Sequence, residues 1–275
     1  MICCDYFAFA KANSPNSYSA SLSLQVDKYR GVSIEQVKPD QNNPSGKKEQ
    51  VTKMFDTISG EYDGLNRMIS LGLDQKWRDN VVDMIAAYKP DVIMDIATGT
   101  GDLVIKMALK TNASRLIGLD ISPGMLEVGK IKVKQQALDT RIDMVIGDSE
   151  NLQFDDNSID AVTVSYGVRN FEDLEKGLSE ILRVLKPGGL LVILETSVPT
   201  TFPFKQGYSI YSKLIVPALG KLFSKDRVAY VYLSESASKF PYGEKFNNIL
   251  RKVGFNSIEN HLQFYGASTI YKAVK

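Results

Sequence analysis

Residues 91–102 have the sequence DVIMDIATGTGD, and this stretch decides the fold. Its first half is a short apolar run that predicts a buried strand, and its second half is a glycine-rich turn that opens a helix. Gly99 and Gly101 would let a ligand approach the backbone closely, because glycine has no side chain. In open α/β sheets, ligands bind where the carboxyl ends of the strands meet the amino ends of the helices. We therefore expect a ligand site at this turn.

Strand and helix patterns alternate from this turn to the C-terminus. The later strands are predicted at residues 115–119, 142–146, 161–165 and 190–194, and the helices at residues 101–110, 124–137 and 173–185, the last ending at the KPGG of residues 186–189. Residues 258–264 and 268–274 flank Tyr265-Gly266 as an antiparallel hairpin. The pattern predicts an α/β fold with a mostly parallel seven-stranded sheet, helices on both faces and a C-terminal antiparallel hairpin.

The chain before residue 91 divides into two parts. Residues 1–46 keep no helical or strand period and carry five serines between positions 14 and 23, which predicts a disordered N-terminal extension. A targeting peptide or a mis-assigned start codon is left open, whereas Asp5 interrupts the apolar start and argues against a secretory signal. Residues 47–88 show helical patterns. No run approaches the roughly 18 apolar residues of a transmembrane helix.

The composition excludes several kinds of chemistry. Lys and Arg number 33 against 32 Asp and Glu, so no strongly basic face for nucleic acid is expected. The chain has one histidine, His261, and two adjacent cysteines, Cys3 and Cys4. No metal cage, redox pair or disulfide framework can be built from them, and His261 is interpreted as a structural residue of the penultimate strand. We therefore expect chemistry without a metal and without a histidine base.

Carboxylates beside the glycine loop indicate the kind of ligand. The third glycine of the dinucleotide fingerprint would fall at Val104 and the Lys-Ser/Thr of a phosphate-binding loop is missing, which disfavours an NAD oxidoreductase. Asp95 and Asp102 flank the loop and would repel a pyrophosphate. They suit a cation that carries an ammonium and a sulfonium, as S-adenosylmethionine does.

Further polar residues lie at the carboxyl ends of the neighbouring predicted strands. Asp120 lies 19 residues after Gly101 and can accept both hydroxyls of a ribose. Asp148 follows the third strand and could accept from an adenine amino group, with the backbone of Ser149 beside it, and Ser165 ends the fourth strand. Any one of these could be a capping or turn residue, but acids at three successive strand ends are hard to attribute to capping.

Longer motifs extend this pattern along the chain. They are FDTISGEYD at residues 55–63, followed by Asn66, Met68, Ser70, Gly72 and Trp77-Arg78, then GTGD at 99–102, DISPGML at 120–126, SYGVRNF at 165–171, LKPGG at 185–189, AYVYLSES at 229–236 and FPYG at 240–243. In these segments the chain resembles class I methyltransferases and, among them, the ubiquinone/menaquinone biosynthesis C-methyltransferase family, over about residues 48–275. Thr98 departs from the family, which commonly has Gly or Cys there, and its branched side chain is expected to narrow the loop without abolishing binding.

The resemblance implies a Rossmann-like methyltransferase domain over residues 47–275 with S-adenosylmethionine as its cofactor. It also implies methylation of a ring carbon of a prenylated demethylquinol, with a menaquinol as the favoured product. By position, the family's cofactor contacts correspond to Thr100, Asp120, Asp148, Ser149 and Ser165, which join Asp95, Gly99 and Gly101 of the loop as the predicted cofactor-binding residues.

Three residues are predicted to act on the substrate. An aromatic carbon attacks a methyl group only when it is electron-rich, so the nucleophile is the quinol or its phenolate. Arg169 is a poor base and is expected to stabilise the phenolate or to orient a water that takes the proton, while Asn170 holds the quinol oxygen. Residues 47–88 are interpreted as a lid that excludes water, with Tyr62 as a substrate contact. Helix capping, or pairing with Glu172 or Asp173, is the alternative for Arg169.

Residues 198–242 are predicted to form an aromatic-rich helical insert. Its nine aromatic residues are Phe202, Phe204, Tyr208, Tyr211, Phe223, Tyr230, Tyr232, Phe240 and Tyr242. Such an insert could hold a prenyl tail or dock on a membrane beside Lys213, Lys221 and Lys225, and a small subdomain core or a homodimer interface is the alternative. The expected location is the cytoplasm, with peripheral contact on the inner face of the membrane left open.

Other functions remain open from the sequence. The same cofactor could serve a benzoquinol of the ubiquinone pathway, or another small acceptor such as a phenol or a sterol. A non-enzymatic alternative is a scaffold subunit of a quinone-biosynthesis complex, against which the intact Asp120, Asp148, Arg169 and Asn170 argue.

Overall fold

A mostly parallel sheet organises the protein, seen in a computed structural model that describes residues 33–212 and 227–275. Its strands are β1 (Val92–Ile96), β2 (Arg115–Asp120), β3 (Ile142–Ile146), β4 (Ile159–Ser165), β5 (Leu185–Thr196), β6 (Asn256–Gln263) and β7 (Ser268–Val274). In the described residues the sheet has seven strands in the order β3-β2-β1-β4-β5-β7-β6. Only β7 runs antiparallel to its neighbours, β5 and β6. The predicted fold, including the terminal hairpin, is confirmed.

Helices cover both faces of the sheet. They are α1 (Lys47–Ile58), α2 (Tyr62–Ile69), α3 (Leu73–Tyr88), α4 (Asp102–Lys110), α5 (Pro123–Gln135), α6 (Leu174–Val184), α7 (Phe204–Ile210), α8 (Arg227–Lys239) and α9 (Glu244–Val253), with short 3-10 turns at Ile34–Gln36, Val168–Asn170 and Phe264–Gly266. One buried cluster joins Ile96 and Ile193 to Phe246 of α9, and the other joins Ile93 and Leu116 to Trp77 of α3. Burial on both faces explains why the central strands are apolar without alternation.

The order of the strands reverses between β1 and β4, and this point opens a crevice at the carboxyl ends of the strands. The residues that follow the two strands, Ala97 and Tyr166, both have left-handed backbone, with φ of 53° and 57°. A side chain at Gly167 would lie 2.6 Å from Cβ of Ala97, so the two loops touch. Glycine at position 167 therefore allows the loops that follow β1 and β4 to approach each other closely at the crevice.

The two largest differences from the predicted boundaries concern the KPGG segment and the N-terminal extension. The KPGG segment does not separate a helix from a strand at residue 190, because β5 already begins at Leu185. Its pairing with β4 jumps from Leu185 to Leu190, so the segment is a bulge in which Gly188 has φ of 78°. The predicted extension, residues 1–46, overlaps the packed part of the chain, since Ile34 and Val37 are buried.

Parts of other predictions lie outside the described residues. These are Phe223, the three lysines Lys213, Lys221 and Lys225, and residues 1–32. His261 lies on the edge strand β6, 3.2 Å from Glu259, in keeping with a structural role. Within the described ranges, no helix combines the length and the apolar character needed to cross a membrane.

Candidate active site

A cleft lies at the carboxyl ends of the first four strands, with an empty volume of about 680 Å³ that includes the part open to solvent. Seven of the predicted site residues line it: Tyr62, Gly99, Asp120, Asp148, Ser149, Ser165 and Asn170. The other four, Asp95, Thr100, Gly101 and Arg169, surround it without lining it. Helix α1 contributes Lys48, Val51 and Phe55 to the wall. The topology thus brings together most of the residues that the sequence singled out.

Asp120 is held rigidly at the end of β2. Its Oδ2 accepts from the backbone N–H of Gly99 at 2.8 Å and its Oδ1 from that of Ser122 at 2.9 Å. Burial raises the pKa of this carboxyl even though these backbone hydrogen bonds oppose the rise. Each oxygen keeps a second lone pair. Asp120 can therefore tie down the glycine loop and still accept two hydroxyls from a ligand.

Asp148 has a partner that the sequence did not suggest. Lys48 of α1 lies 2.7 Å from Asp148 Oδ2 and 3.1 Å from Glu150 Oε2. Burial would lower the pKa of Lys48, but the hydrogen bonds to the two carboxylates outweigh it and raise the pKa. Asp148 Oδ1 accepts from the backbone of Glu150 at 2.9 Å. Nothing in the local sequence distinguishes Lys48 from other lysines in the first turn of a surface helix, so its pairing with Asp148 could not be predicted.

Asp95 lies beneath the glycine loop rather than in the cleft. Its two oxygens accept from the hydroxyls of Thr98 and Thr163, each at 2.6 Å. Burial raises the pKa of Asp95 to about 6. Thr98 points toward Asp95 and packs over Gly118 of β2. Asp95 supports the loop from below.

Thr100 and Gly101 complete the loop without facing the cleft. The hydroxyl of Thr100 donates to Asp63 of α2 at 2.6 Å and accepts from Lys132 of α5 at 3.0 Å. Lys132 also pairs with Asp63 at 2.7 Å and with Asp102. Gly101 has φ of 80°, a left-handed conformation that places it just before α4. The glycine loop is therefore bonded directly to α2.

Helices α1 and α2 cross the mouth of the cleft. Asp56 accepts from Ser122 Oγ at 2.6 Å and from the backbone of Gly124 at 2.9 Å, at the start of α5. Lys47 is buried and donates to three backbone carbonyls, those of Ile34, Arg169 and Phe171, at 2.7–3.0 Å. Burial lowers the pKa of Lys47 to about 8, despite nearby carboxylates that raise it.

Tyr62 covers the glycine loop from this side. Its ring would lie 3.7 Å from a side chain built at Gly99 and meets the ring of Phe55 edge to face, with centroids 5.8 Å apart. Tyr211, in the predicted aromatic insert, donates to the backbone of Ile69 at the end of α2. The helices at the mouth thus contact both the loop and the insert.

Arg169 and Asn170 stand at the other end of the cleft. Arg169 pairs with Glu195 at 2.7 Å, not with Glu172 or Asp173. Both Arg169 and Asn170 donate to the backbone oxygen of Tyr166, and Asn170 Oδ1 accepts from Tyr232 of α8 at 3.1 Å. Sequence reasoning missed Glu195. The signal that could have found it is a carboxylate inside the apolar run LLVILET of residues 190–196.

The side chains of the cleft fit the expected cofactor. Carboxylates at the ends of β2 and β3 face it, and Ser165 Oγ is enclosed without a hydrogen-bond partner among the described residues, although Ser165 lines the cleft. Buried polar atoms in proteins nearly always have a partner, so this hydroxyl indicates contact with a polar ligand group. The acidic, glycine-lined cleft suits a cationic nucleoside.

Comparisons with known proteins agree with this geometry. The sequence model of the ubiE/COQ5 methyltransferase family matches residues 44–275. A demethylmenaquinone methyltransferase of Bacteroides fragilis is 47% identical over 241 residues, which is 88% of this chain and 98% of the relative. The ubiquinone/menaquinone biosynthesis C-methyltransferase UbiE of Geobacter sulfurreducens is 42% identical over 230 residues, covering 83% and 90% of the two chains.

Solved structures share the fold at low sequence identity. The phosphoethanolamine N-methyltransferase 2 of Haemonchus contortus, in complex with S-adenosyl-L-methionine, has a TM-score of 0.52 and 17% identity, over 75% of this chain and 57% of that one. The [4+2]-cyclase SpnF has a TM-score of 0.55 and 17% identity, over 84% and 98%. One fold thus hosts different chemistries, and the residues of the cleft have to decide the activity.

Proposed function

Since this chain belongs to the ubiE/COQ5 methyltransferase family, we propose that it methylates a ring carbon of demethylmenaquinol to give menaquinol. It is an S-adenosylmethionine-dependent methyltransferase. The observation that carries the choice of acceptor is the 47% identity to a demethylmenaquinone methyltransferase over 88% of the chain. The acid-lined cleft beside Arg169 and Asn170 supports it, because it offers a nucleoside site next to groups that can hold a quinol oxygen.

The cofactor site we propose has four parts. Asp120 accepts the ribose hydroxyls, Asp148 accepts the adenine amino group beside the backbone of Ser149, and Ser165 donates from the end of β4. The backbone of Gly99 faces the amino-acid portion of the cofactor, and Gly101 shapes the loop just before α4. Asp95 and Thr100 act indirectly, by supporting the loop and by bonding it to α2. When bound, S-adenosylmethionine supplies a methyl group activated by a positive sulfonium.

The acceptor side needs a quinol that has given up its proton. A phenolic hydroxyl titrates near pH 10 in water, so the site has to favour the anion. Arg169 supplies the positive charge, and Asn170, held by Tyr232, supplies a hydrogen-bond donor of fixed direction. Tyr62 covers the reacting atoms and keeps water away. Alignment of donor and acceptor by these groups supplies much of the rate acceleration.

A labelled-methyl assay tests the function. The protein is incubated with isotope-labelled S-adenosylmethionine and either demethylmenaquinol or a demethoxy-type benzoquinol, and the label in the quinone fraction is counted. We expect label in demethylmenaquinol. Label in the benzoquinol as well would indicate the broader activity that the name of the Geobacter sulfurreducens relative suggests. Tight cofactor binding with label in neither quinol would refute the proposed acceptor class.

Helices α1 and α2 are proposed to be a lid, and Asp63 offers a test of it. Replacing Asp63 with Asn removes the charge that joins α2 to Lys132 and weakens its bond to Thr100. We expect the cofactor to dissociate roughly tenfold faster, since a charged hydrogen bond contributes about 1.5 kcal/mol or more. Stopped-flow release of S-adenosylhomocysteine measures this rate. Asp79→Asn, which removes an exposed partner of Lys106, is the control and should leave release unchanged.

Exposed aromatic residues support a contact with the membrane that holds the substrate. Phe202, Phe264 and Tyr265 are 81%, 55% and 59% exposed, and Phe204 stacks on Tyr265 with ring centroids 3.5 Å apart. Phe264 and Tyr265 lie at the tip of the hairpin, where β7 starts beside the carboxyl end of β5, the same edge of the sheet as the cleft. Aromatic side chains favour the boundary between lipid and water. The location we propose is therefore cytoplasmic, at the inner face of the membrane.

Vesicle sedimentation tests this contact. The double variant Phe264→Ser/Tyr265→Ser is expected to bind phosphatidylglycerol-containing vesicles at least fivefold more weakly, because two exposed rings no longer insert. Leu109→Ser, which removes an equally exposed apolar side chain from α4, is the matched control. Unchanged sedimentation of the double variant, with loss of a dimer in analytical ultracentrifugation, would assign the tip to a homodimer interface instead.

A further inference from the structure

The ion pair between Arg169 and Glu195 is the most enclosed charged pair beside the cleft. Glu195 is 0% exposed and Arg169 7%, and the bond joins Nη1 to Oε1 at 2.7 Å. The backbone and hydroxyl of Thr196 also donate to Oε1. Oε2 of the glutamate and Nε of the arginine are buried with no hydrogen-bond partner among the described residues. Each member of the pair therefore keeps an unused hydrogen-bonding atom.

The groups around this pair cannot take up a proton. Among the described residues, the titratable groups near the pair include the hydroxyls of Tyr166, Tyr232 and Tyr271, which face Glu195, and the ammonium of Lys47, which donates to the backbone oxygen of Arg169. Burial raises the pKa of all three tyrosines, to about 12 for Tyr271, so they stay neutral. An arginine is always protonated.

Asn170, the other polar group at this end of the cleft, has a neutral amide, which is not a base. The lone histidine lies on the edge strand β6. Among the described residues, Glu195 is the carboxylate that pairs with Arg169, and a carboxylate is able to accept a proton from a quinol.

Buried charge limits how the quinol can ionise. Creating an additional anion in an enclosed site is costly, because the protein replaces solvating water poorly. Moving a proton from the quinol to a carboxylate already present creates no additional anion. Arg169 stays beside a single negative charge throughout, first that of the carboxylate and then that of the phenolate.

We propose, on the basis of the function proposed above, that Glu195 takes the proton of the quinol hydroxyl. The ion-pair partner of Arg169 then changes from the Glu195 carboxylate to the phenolate of the quinol. The O–H bond of the quinol breaks, its electron pair stays on oxygen, and the proton adds to the carboxylate. Since Oε2 is enclosed, one water between hydroxyl and carboxylate relays the proton. After methylation the proton of the ring carbon restores the hydroxyl, and Glu195 releases its own proton to solvent.

The test compares Glu195→Gln with Glu195→Asp across pH. Glutamine keeps an oxygen for Arg169 and Thr196 but cannot take a proton, whereas aspartate keeps the base at a longer distance. At pH 7.5 we expect kcat of Glu195→Gln to fall about a thousandfold, with KM changed little. Its kcat should then rise about tenfold per pH unit between pH 7 and 9, because only complexes in which the bound quinol has lost its proton to solvent react. The wild-type protein and Glu195→Asp should show a shallow dependence.

Controls separate this inference from folding and from the proposed function. Glu180→Gln, at the Arg183 ion pair of α6, is the matched substitution and should leave both kcat and its pH slope unchanged. Melting temperature and S-adenosylhomocysteine affinity report whether each variant is folded. The same shallow slope in Glu195→Gln and the wild type, or an equally steep slope in Glu195→Asp, overturns the inference. Wild-type protein that methylates no quinol refutes the function itself.

Discussion

Asp120→Ala is expected to weaken S-adenosylmethionine binding about a hundredfold. Two hydroxyls of the ribose would lose a charged acceptor, and a hydrogen bond to a charged group contributes about 1.5–3 kcal/mol. Each 1.4 kcal/mol corresponds to a tenfold change in affinity. The glycine loop would also lose the acceptor that holds the N–H of Gly99. Isothermal titration calorimetry with S-adenosylmethionine measures the change directly.

Asp143→Ala is the control for this substitution. Asp143 also lies on a strand of the same sheet, but its half-exposed side chain pairs with Arg115. Binding by that variant should match the wild type. If Asp120→Ala leaves the dissociation constant for S-adenosylmethionine unchanged, Asp120 does not bind the cofactor. Its hydrogen bonds to the backbone would then be its only role.

Arg169→Met is expected to destabilise the protein by about 3–5 kcal/mol and to abolish methyl transfer. The substitution leaves the Glu195 carboxylate buried without its cation, and breaking a buried pair on one side has a cost of this size. The free energy of unfolding, from urea denaturation, measures the loss of stability. The labelled-methyl assay measures the loss of activity.

The double variant Arg169→Met/Glu195→Gln separates the two effects. It removes both charges and keeps an amide oxygen for the donors of Thr196, so we expect most of the lost stability to return. Activity should stay absent, because neither the cation nor the base is present. Recovery of activity together with stability would mean that the pair serves only the fold.

The positions of the strand-end residues could be predicted from the sequence because parallel strands end at a common edge. Asp120, Asp148 and Ser165 each follow an apolar run, and the topology alone brings them to one cleft. Asp95 follows the same rule in sequence but lies at the penultimate position of β1, where its side chain meets Thr163 of β4 instead of the cleft. In register, Asp95 is level with Gly118 and Thr163, two residues before Asp120 and Ser165, so its side chain lies on the same face of the sheet but below the glycine loop.

Partners separated by long stretches of chain could not be predicted. Lys48 and Asp148 are 100 residues apart, and nothing in their local sequence indicates that α1 crosses the cleft. The pairing of Arg169 with Glu195 depends in the same way on β4 and β5 being neighbours. The sequence offered nearby acids, Glu172 and Asp173, as partners, and Asp173 instead caps α6. Local patterns give the elements, whereas contacts between elements need the assembled sheet.

Gly167, whose missing side chain lets the loop after β4 rest on Ala97, has a consequence for how such a site can diversify. The loop after β1 contributes to the cofactor side of the cleft, and the loop after β4 contributes to the acceptor side. The two loops are in close contact at Ala97 and Gly167. A larger residue at position 167 would meet Ala97 and Val164, so a side-chain substitution there would require the backbone of one loop to move. The outer wall, where Tyr232 of α8 donates to Asn170, is where a substitution can reshape the acceptor side without moving these two loops.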